Sequence, residues 1–212
     1  MLFNLNKNMK KMFVIIIISL TLSSSVLANK IFLSQSGFNF EIPNQFVQYN
    51  RDYLKDNMEK ILSQADEAGL VRTEEFLLNQ MTTLEKYENI NQFVSENNVA
   101  NSITFLLMEN INTFTDEEIK KNRDEIIKKF AEQYQIDDDA FSTFEIFTIS
   151  VKGKKGHRII HNYPYLPNFL MSDTWIEFNN KNNLRIVYSN PNTNLKSFKS
   201  FIDEVETTLK FR

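Results

Sequence analysis

The 212-residue chain has no cysteine, and glycine and proline occur only four times each. Without cysteine there is no thiol catalysis, no thiolate metal site, no disulfide and no cysteine to carry a lipid. The four glycines, Gly37, Gly69, Gly153 and Gly156, exclude further chemistry. Dinucleotide fingerprints, P-loops and nucleophile elbows need glycines at fixed offsets, where backbone turns sharply or approaches phosphate. None of those patterns is present, nor is His-Glu-x-x-His. Long apolar runs are also lacking. The longest, Phe13 to Leu22, is about half of the ~20 residues that a membrane-spanning helix needs.

That short run identifies what is there. Lys7, Lys10 and Lys11 precede it, and Ser23-Ser24-Ser25-Val26-Leu27-Ala28 follows it. A basic start, a short apolar centre and small residues at the end predict a secretory signal peptide over 1–28, cut after Ala28. Met9 offers a second start, and an uncleaved anchor is the competing reading. Removing 1–28 takes away three lysines and no acid. The remaining 184 residues hold 21 basic against 27 acidic groups, a net of −6. That balance argues against a nucleic-acid partner, which requires clustered Lys and Arg. The size suits one domain with its own core, without disulfides. Abundant Asn, Lys and Ile beside scarce Gly is a bias of AT-rich bacterial genomes, so we expect a periplasmic or secreted bacterial protein with no stable membrane anchor.

Along 29–212, Lys30 to Ile42 alternates as a strand that Pro43 ends. A helix is expected over Arg51–Leu62, another over Glu74–Met81, and a short helix or loop over Asn89–Asn98. Ser102–Met108 reads as a buried strand. Thr115-Asp116-Glu117-Glu118 is a capping box, opening a helix whose apolar face is Ile119, Ile126, Ile127, Phe130 and Tyr134. Asp137-Asp138-Asp139 lacks the spaced ligands of a calcium loop and reads as a solvated turn. Four strands follow as a meander. Phe144–Val151 and Arg158–Tyr163 join through Gly153-Lys154-Lys155-Gly156, with Ile149 opposite Ile160. Thr174–Phe178 and Leu184–Tyr188 pair with Glu177 opposite Arg185. A last helix carries Leu195, Phe198, Ile202, Val205 and Leu209 on one stripe. Hairpins with two amphipathic helices imply an α+β fold, an α-β-α sandwich around a largely antiparallel sheet.

Three segments carry a family resemblance: Gly37-Phe38-Asn39-Phe40-Glu41-Ile42-Pro43, the hairpin Ile149 to Ile159, and the stretch from Leu184-Arg185-Ile186-Val187-Tyr188 to Leu209-Lys210-Phe211. Over residues 31–45 and 100–212 the chain resembles PsbP-like (DcrB-like) domains. The resemblance implies an α-β-α sandwich used for binding. Residues 46–100 depart from the family pattern and read as a helical insertion. No functional residue carries over.

The residues themselves assign no catalytic group, cofactor or metal. His157 and His161 share a strand face roughly 13 Å apart at 3.3 Å per residue, too far for one metal ion. Trp175, with Tyr163 and His161, is a candidate platform for a ligand or partner; packing beneath a helix is the alternative. Two prolines argue against a regular central strand in Asn162–Met171, so Tyr165 and Phe169 either fold onto the core or form a contact patch. Leu54, Met58, Leu62, Phe76, Leu77 and Met81 make either a helical pair on the sheet or a lid. The expectation is an exported, non-catalytic binding or accessory protein acting through a protein partner or small apolar ligand. The alternative is a secreted hydrolase with acid and base, such as His161 and Glu177, assembled only by the fold.

Overall fold

The computed structural model describes residues 30–34, 37–67, 73–75, 77–79, 82, 90–109, 114–134, 137, 141–163, 166–191 and 194–212. The expected signal segment 1–28, Phe76, Met81, Asp138, Asp139 and Tyr165 lie outside the described residues, as do the side chains of Tyr134 and Tyr163.

The chain forms β1 (Lys30–Leu33), β2 (Phe38–Ile42), β3 (Phe46–Gln48), α1 (Arg51–Glu67), β4 (Ile90–Ser95) and β5 (Asn98–Glu109). It continues through α2 (Asp116–Tyr134), β6 (Phe144–Val151), β7 (Lys154–Tyr163), β8 (Leu166–Glu177), β9 (Asn182–Asn190), α3 (Leu195–Thr208) and β10 (Lys210–Phe211). Two antiparallel sheets result, a small one ordered β1-β2-β10 and a seven-stranded one ordered β3-β4-β5-β9-β8-β7-β6. The fold is α+β.

One face of the large sheet carries the main core. Ile103 and Phe105 of β5, Ile160 of β7, Ile176 of β8 and Leu184, Ile186 and Tyr188 of β9 share that side. Phe198, Ile202 and Val205 of α3 pack on them, together with Phe38 and Phe40 of β2. The apolar stripe of α3 therefore finds the sheet that its spacing demands. Asn194 caps this helix, its Oδ1 accepting the Ser197 amide at 3.0 Å. Two helices cover the opposite face. Leu54 and Ile61 of α1 pack with Val94 of β4, Tyr49 and Val99. Helix α2 starts at the expected capping box, where the Thr115 amide donates to Glu118 Oε2 at 2.8 Å and the Glu118 amide donates to Thr115 Oγ1 at 3.2 Å. It runs along β6 and β7, with Phe130 against Phe144 and His161.

Several local expectations are corrected. Within the stretch expected as a short helix or loop, Asn89 lies outside the described residues, and Glu96 and Asn97 form a turn between two strands. Ile90–Ser95 is a strand paired with β5, and β3 joins the same sheet, so residues 46–100 contribute strands as well as helix. The β6–β7 turn falls on Lys152 and Gly153, with φ of 51° and 78°. A two-residue turn with both central residues at positive φ matches the twist of the strands it joins. Ile149 consequently faces Gly156 and not Ile160. Gly156 is not a loop residue: a Cβ there would lie 2.0 Å from the Trp175 carbonyl oxygen, so its lack of a side chain lets β7 and β8 close.

In the β8–β9 hairpin, Asn179 Oδ1 accepts the amides of Lys181 and Asn182, each at 2.9 Å. That local turn moves the register by two residues. Arg185 therefore faces Trp175, and Glu177 faces Asn183. Pro167 does lie in a strand, contrary to expectation. Pairing with β9 begins only at Leu170, so at Pro167 the strand overhangs that neighbour, as at a sheet edge, where proline breaks no ladder. The strand at the start of the chain is two strands, β1 and β2, paired with each other through Phe32 and Phe40.

Candidate functional site

A cleft of about 340 Å³ opens between α2 and the sheet face that α2 partly covers. Its walls come from separate parts of the chain. Ile126, Lys129 and Phe130 of α2 line one side with Phe114, which precedes the helix. The sheet contributes His157 and Ile159 from β7, Asp173 and Trp175 from β8, and Arg185 from β9. Strand alternation puts these five on one face, and the β7–β8–β9 register aligns His157, Trp175 and Arg185 in a row across three neighbouring strands.

The row is a stack of planar groups. The His157 and Trp175 rings are 6.2 Å apart and within 17° of parallel. The Arg185 guanidinium carbon stands 4.8 Å from the centre of the Trp175 ring, in cation–π contact. Arg185 is also locked to the buried Asp173 by two bonds, Nε to Oδ1 at 2.7 Å and Nη2 to Oδ2. A fork of this kind fixes the guanidinium plane as well as its position. Phe114 stands edge-on to His157, with ring centres 5.1 Å apart.

His157 is 4% exposed, and its Nδ1 has no hydrogen-bond partner among the described residues. Burial lowers its pKa to about 4, against a smaller opposing pull from Asp173, so the imidazole is neutral near pH 7. Lys129 is exposed at the rim and pairs with Glu125 one turn earlier, at 2.7 Å. Among the described residues, no group of three His, Asp or Glu side chains could hold a metal ion. No described helix is long and apolar enough to cross a membrane. A polar groove along α1, between Lys55 and Glu74, is about 510 Å³ in volume, but it lacks the aromatic walls of the cleft.

Of the candidates read from the sequence, Trp175 lines the cleft. His161 does not; it is buried in a box of Phe130, Phe141 and Phe144. Its Nδ1 donates to the Asn162 carbonyl at 2.7 Å, and burial lowers its pKa. Phe169 is buried as well. The backbone of Tyr163 ends β7, beside the irregularity at Asn162. His161 and Glu177 are not brought together: His161 faces Met171, six residues along β8 from Glu177, or about 20 Å. Sequence reasoning missed Asp173, Arg185 and Phe114 as site residues. A two-residue change of hairpin register would have revealed the first two, since it sets Arg185 diagonally across from Asp173.

No protein-family model and no curated protein matches the sequence. Among solved structures, the chain is similar to cyanobacterial PsbP (CyanoP) from Synechocystis, at 10% identity and a TM-score of 0.47, covering 90% of this chain and 96% of that one. A protein from Bacteroides thetaiotaomicron is similar at 9% identity and a TM-score of 0.41; 87% of this chain is covered, and it spans about half (49%) of the Bacteroides chain. The α+β class itself rests on the sheets and helices described above.

Proposed function

We propose that this is an exported, non-catalytic binding protein that holds a small, largely apolar ligand in the cleft between α2 and the sheet. The observation that carries the reading is the cleft: aromatic and aliphatic walls from three elements and from Phe114 converge on a few fixed polar groups, the usual make-up of a small-molecule site. The polar groups suit holding better than reacting. Asp173 is committed to Arg185, and His157 Nδ1 has no hydrogen-bond partner among the described residues to orient the ring. The signal-like segment 1–28 supports export, with a protein free of a membrane anchor as the product.

Two measurements test this. Expression of the full chain in a bacterial host should release a species lacking residues 1–28, seen by intact mass in the periplasm or medium. Retention of all 212 residues would defeat the export reading. For binding, an apolar fluorophore such as the neutral N-phenyl-1-naphthylamine should gain emission with the protein, and Ile126→Trp, which fills the cleft, should abolish the gain. A second reading, a secreted hydrolase, is favoured by one observation, that His157 and Asp173 line the same cleft. It requires Asp173 to leave Arg185, and it predicts turnover of ester or glycoside substrates that His157→Gln removes.

A further inference from the structure

We infer that the cleft takes a planar aromatic anion, one or two fused rings bearing a single acidic group. This inference rests on the small-ligand reading above and specifies its chemistry.

The stacked row supplies the first argument. Strand β8 lies between β7 and β9, so Trp175 has His157 on one side and Arg185 on the other, at 6.2 and 4.8 Å. The indole is therefore flanked by a planar group on each side, and Trp175 lines the cleft half-buried. The guanidinium beside it adds a full positive charge. Such a floor favours the negative face of another ring laid across it, or an anion, over a saturated chain. Phe114, set at 60° to His157, supplies a second aromatic wall against which a ring can pack edge-to-face.

Charge supplies the second argument. The titratable groups lining the cleft are Lys129, Arg185, Asp173 and a neutral His157. They leave the cleft one positive charge in excess, while the whole chain has a net charge of −3. The Lys129–Glu125 pair at the rim is exposed on both sides, and such pairs hold weakly. A ligand acid can therefore compete for the ammonium group. Volume supplies the third argument: about 340 Å³ is a little over twice a cavity of ~150 Å³ that accommodates benzene.

Trp175 is the only tryptophan, so tryptophan emission reports from this cleft alone. The purified protein is titrated in parallel with 1-naphthoate, neutral 1-naphthylmethanol and decanoate, following heat and Trp175 emission together. We expect 1-naphthoate to bind at least tenfold more tightly than the other two while changing the emission. Lys129→Glu should weaken 1-naphthoate at least fivefold and leave 1-naphthylmethanol within twofold. Equal affinity for the two naphthalenes would overturn the anion assignment, and tighter binding of decanoate would overturn the aromatic one. Heat without any change at Trp175 would place binding elsewhere and overturn both. If none of the three binds, and the apolar fluorophore does not either, the small-ligand reading itself fails.

Discussion

Arg158 and Glu206 are each more than nine-tenths buried, on the sheet face opposite the cleft. Arg158 Nη2 bonds Glu206 Oε2, its Nε donates to Thr174 Oγ1 at 3.0 Å, and the Tyr188 hydroxyl donates to Glu206 Oε1 at 3.3 Å. Burial raises the Glu206 carboxyl above the ordinary range, and Arg158 pulls against that rise. Removing Glu206 leaves the buried Arg158 only the exposed Asp203, 3.8 Å from its Nη1, as a counter-charge. Losing one partner of a buried pair typically costs about 3–5 kcal/mol, whereas replacing both by apolar groups is often close to neutral. Glu206→Leu should therefore lower the urea midpoint sharply, and Arg158→Met combined with Glu206→Leu should recover most of the loss. A double variant as unstable as the single one would show that the pair itself contributes. Nothing in the sequence marks this network. Arg158 reads as a strand residue and Glu206 as the polar side of a helix, because 48 residues of chain separate two groups that only the docking of α3 brings into contact.

At the scale of elements, helices α2 and α3 were legible because their signals are local: a capping box for α2 and an apolar stripe at helical spacing for each. The four strands of the meander were legible for the same reason, through alternation. Their registers were not, because a turn decides register and several turns fit the same residues. Lys152 illustrates this. At φ 51° it occupies a conformation that asparagine or glycine adopts at less cost. Lys152→Asn should raise stability by a few tenths to about 1 kcal/mol, read as a higher melting temperature with unchanged folded spectra. Gly156→Ala should act the other way and more strongly, since the added carbon meets backbone at Trp175 and cannot be accommodated by a side-chain rotation. Because that contact lies directly under the stacked row, the variant should also change Trp175 emission in whatever fraction folds. Unchanged stability and emission would show that β7 and β8 separate freely there. Strands β3, β4 and β10 escaped the sequence reading; β3 and β10 are three and two residues long, too short for alternation to register.

For the whole molecule, the two buried histidines set a pH dependence. The His157 pKa is about 4 in the folded protein and about 6.5 when the chain is unfolded. Between these values the unfolded chain binds the extra proton, so stability is full above about pH 6.5 and falls as pH drops toward 4. The loss from His157 by pH 4.5 is roughly 2–3 kcal/mol. His161, lowered by burial in its phenylalanine box, adds in the same direction. Glu206, with a raised pKa, works in the opposite direction because its folded form takes up the proton first. Urea midpoints measured from pH 7.5 to 4.5 should fall for the natural protein and flatten for His157→Phe with His161→Phe. An equally steep fall in that variant would place the titration elsewhere.

What the sequence determined by itself was the α+β class, the meander and the capped helices. Each is written in neighbours a few residues apart, where spacing alone says which side chains share a face. The missing cysteines and the scarcity of glycine also ruled out whole classes of chemistry before any folding was considered. What only the tertiary structure decided was the cleft. Trp175 could be singled out as an isolated residue, but its stacking between His157 and Arg185 depends on two hairpin registers, on Gly156 letting backbones close, and on α2 lying over β6 and β7. Those are contacts between segments distant in the chain, and no local pattern specifies them.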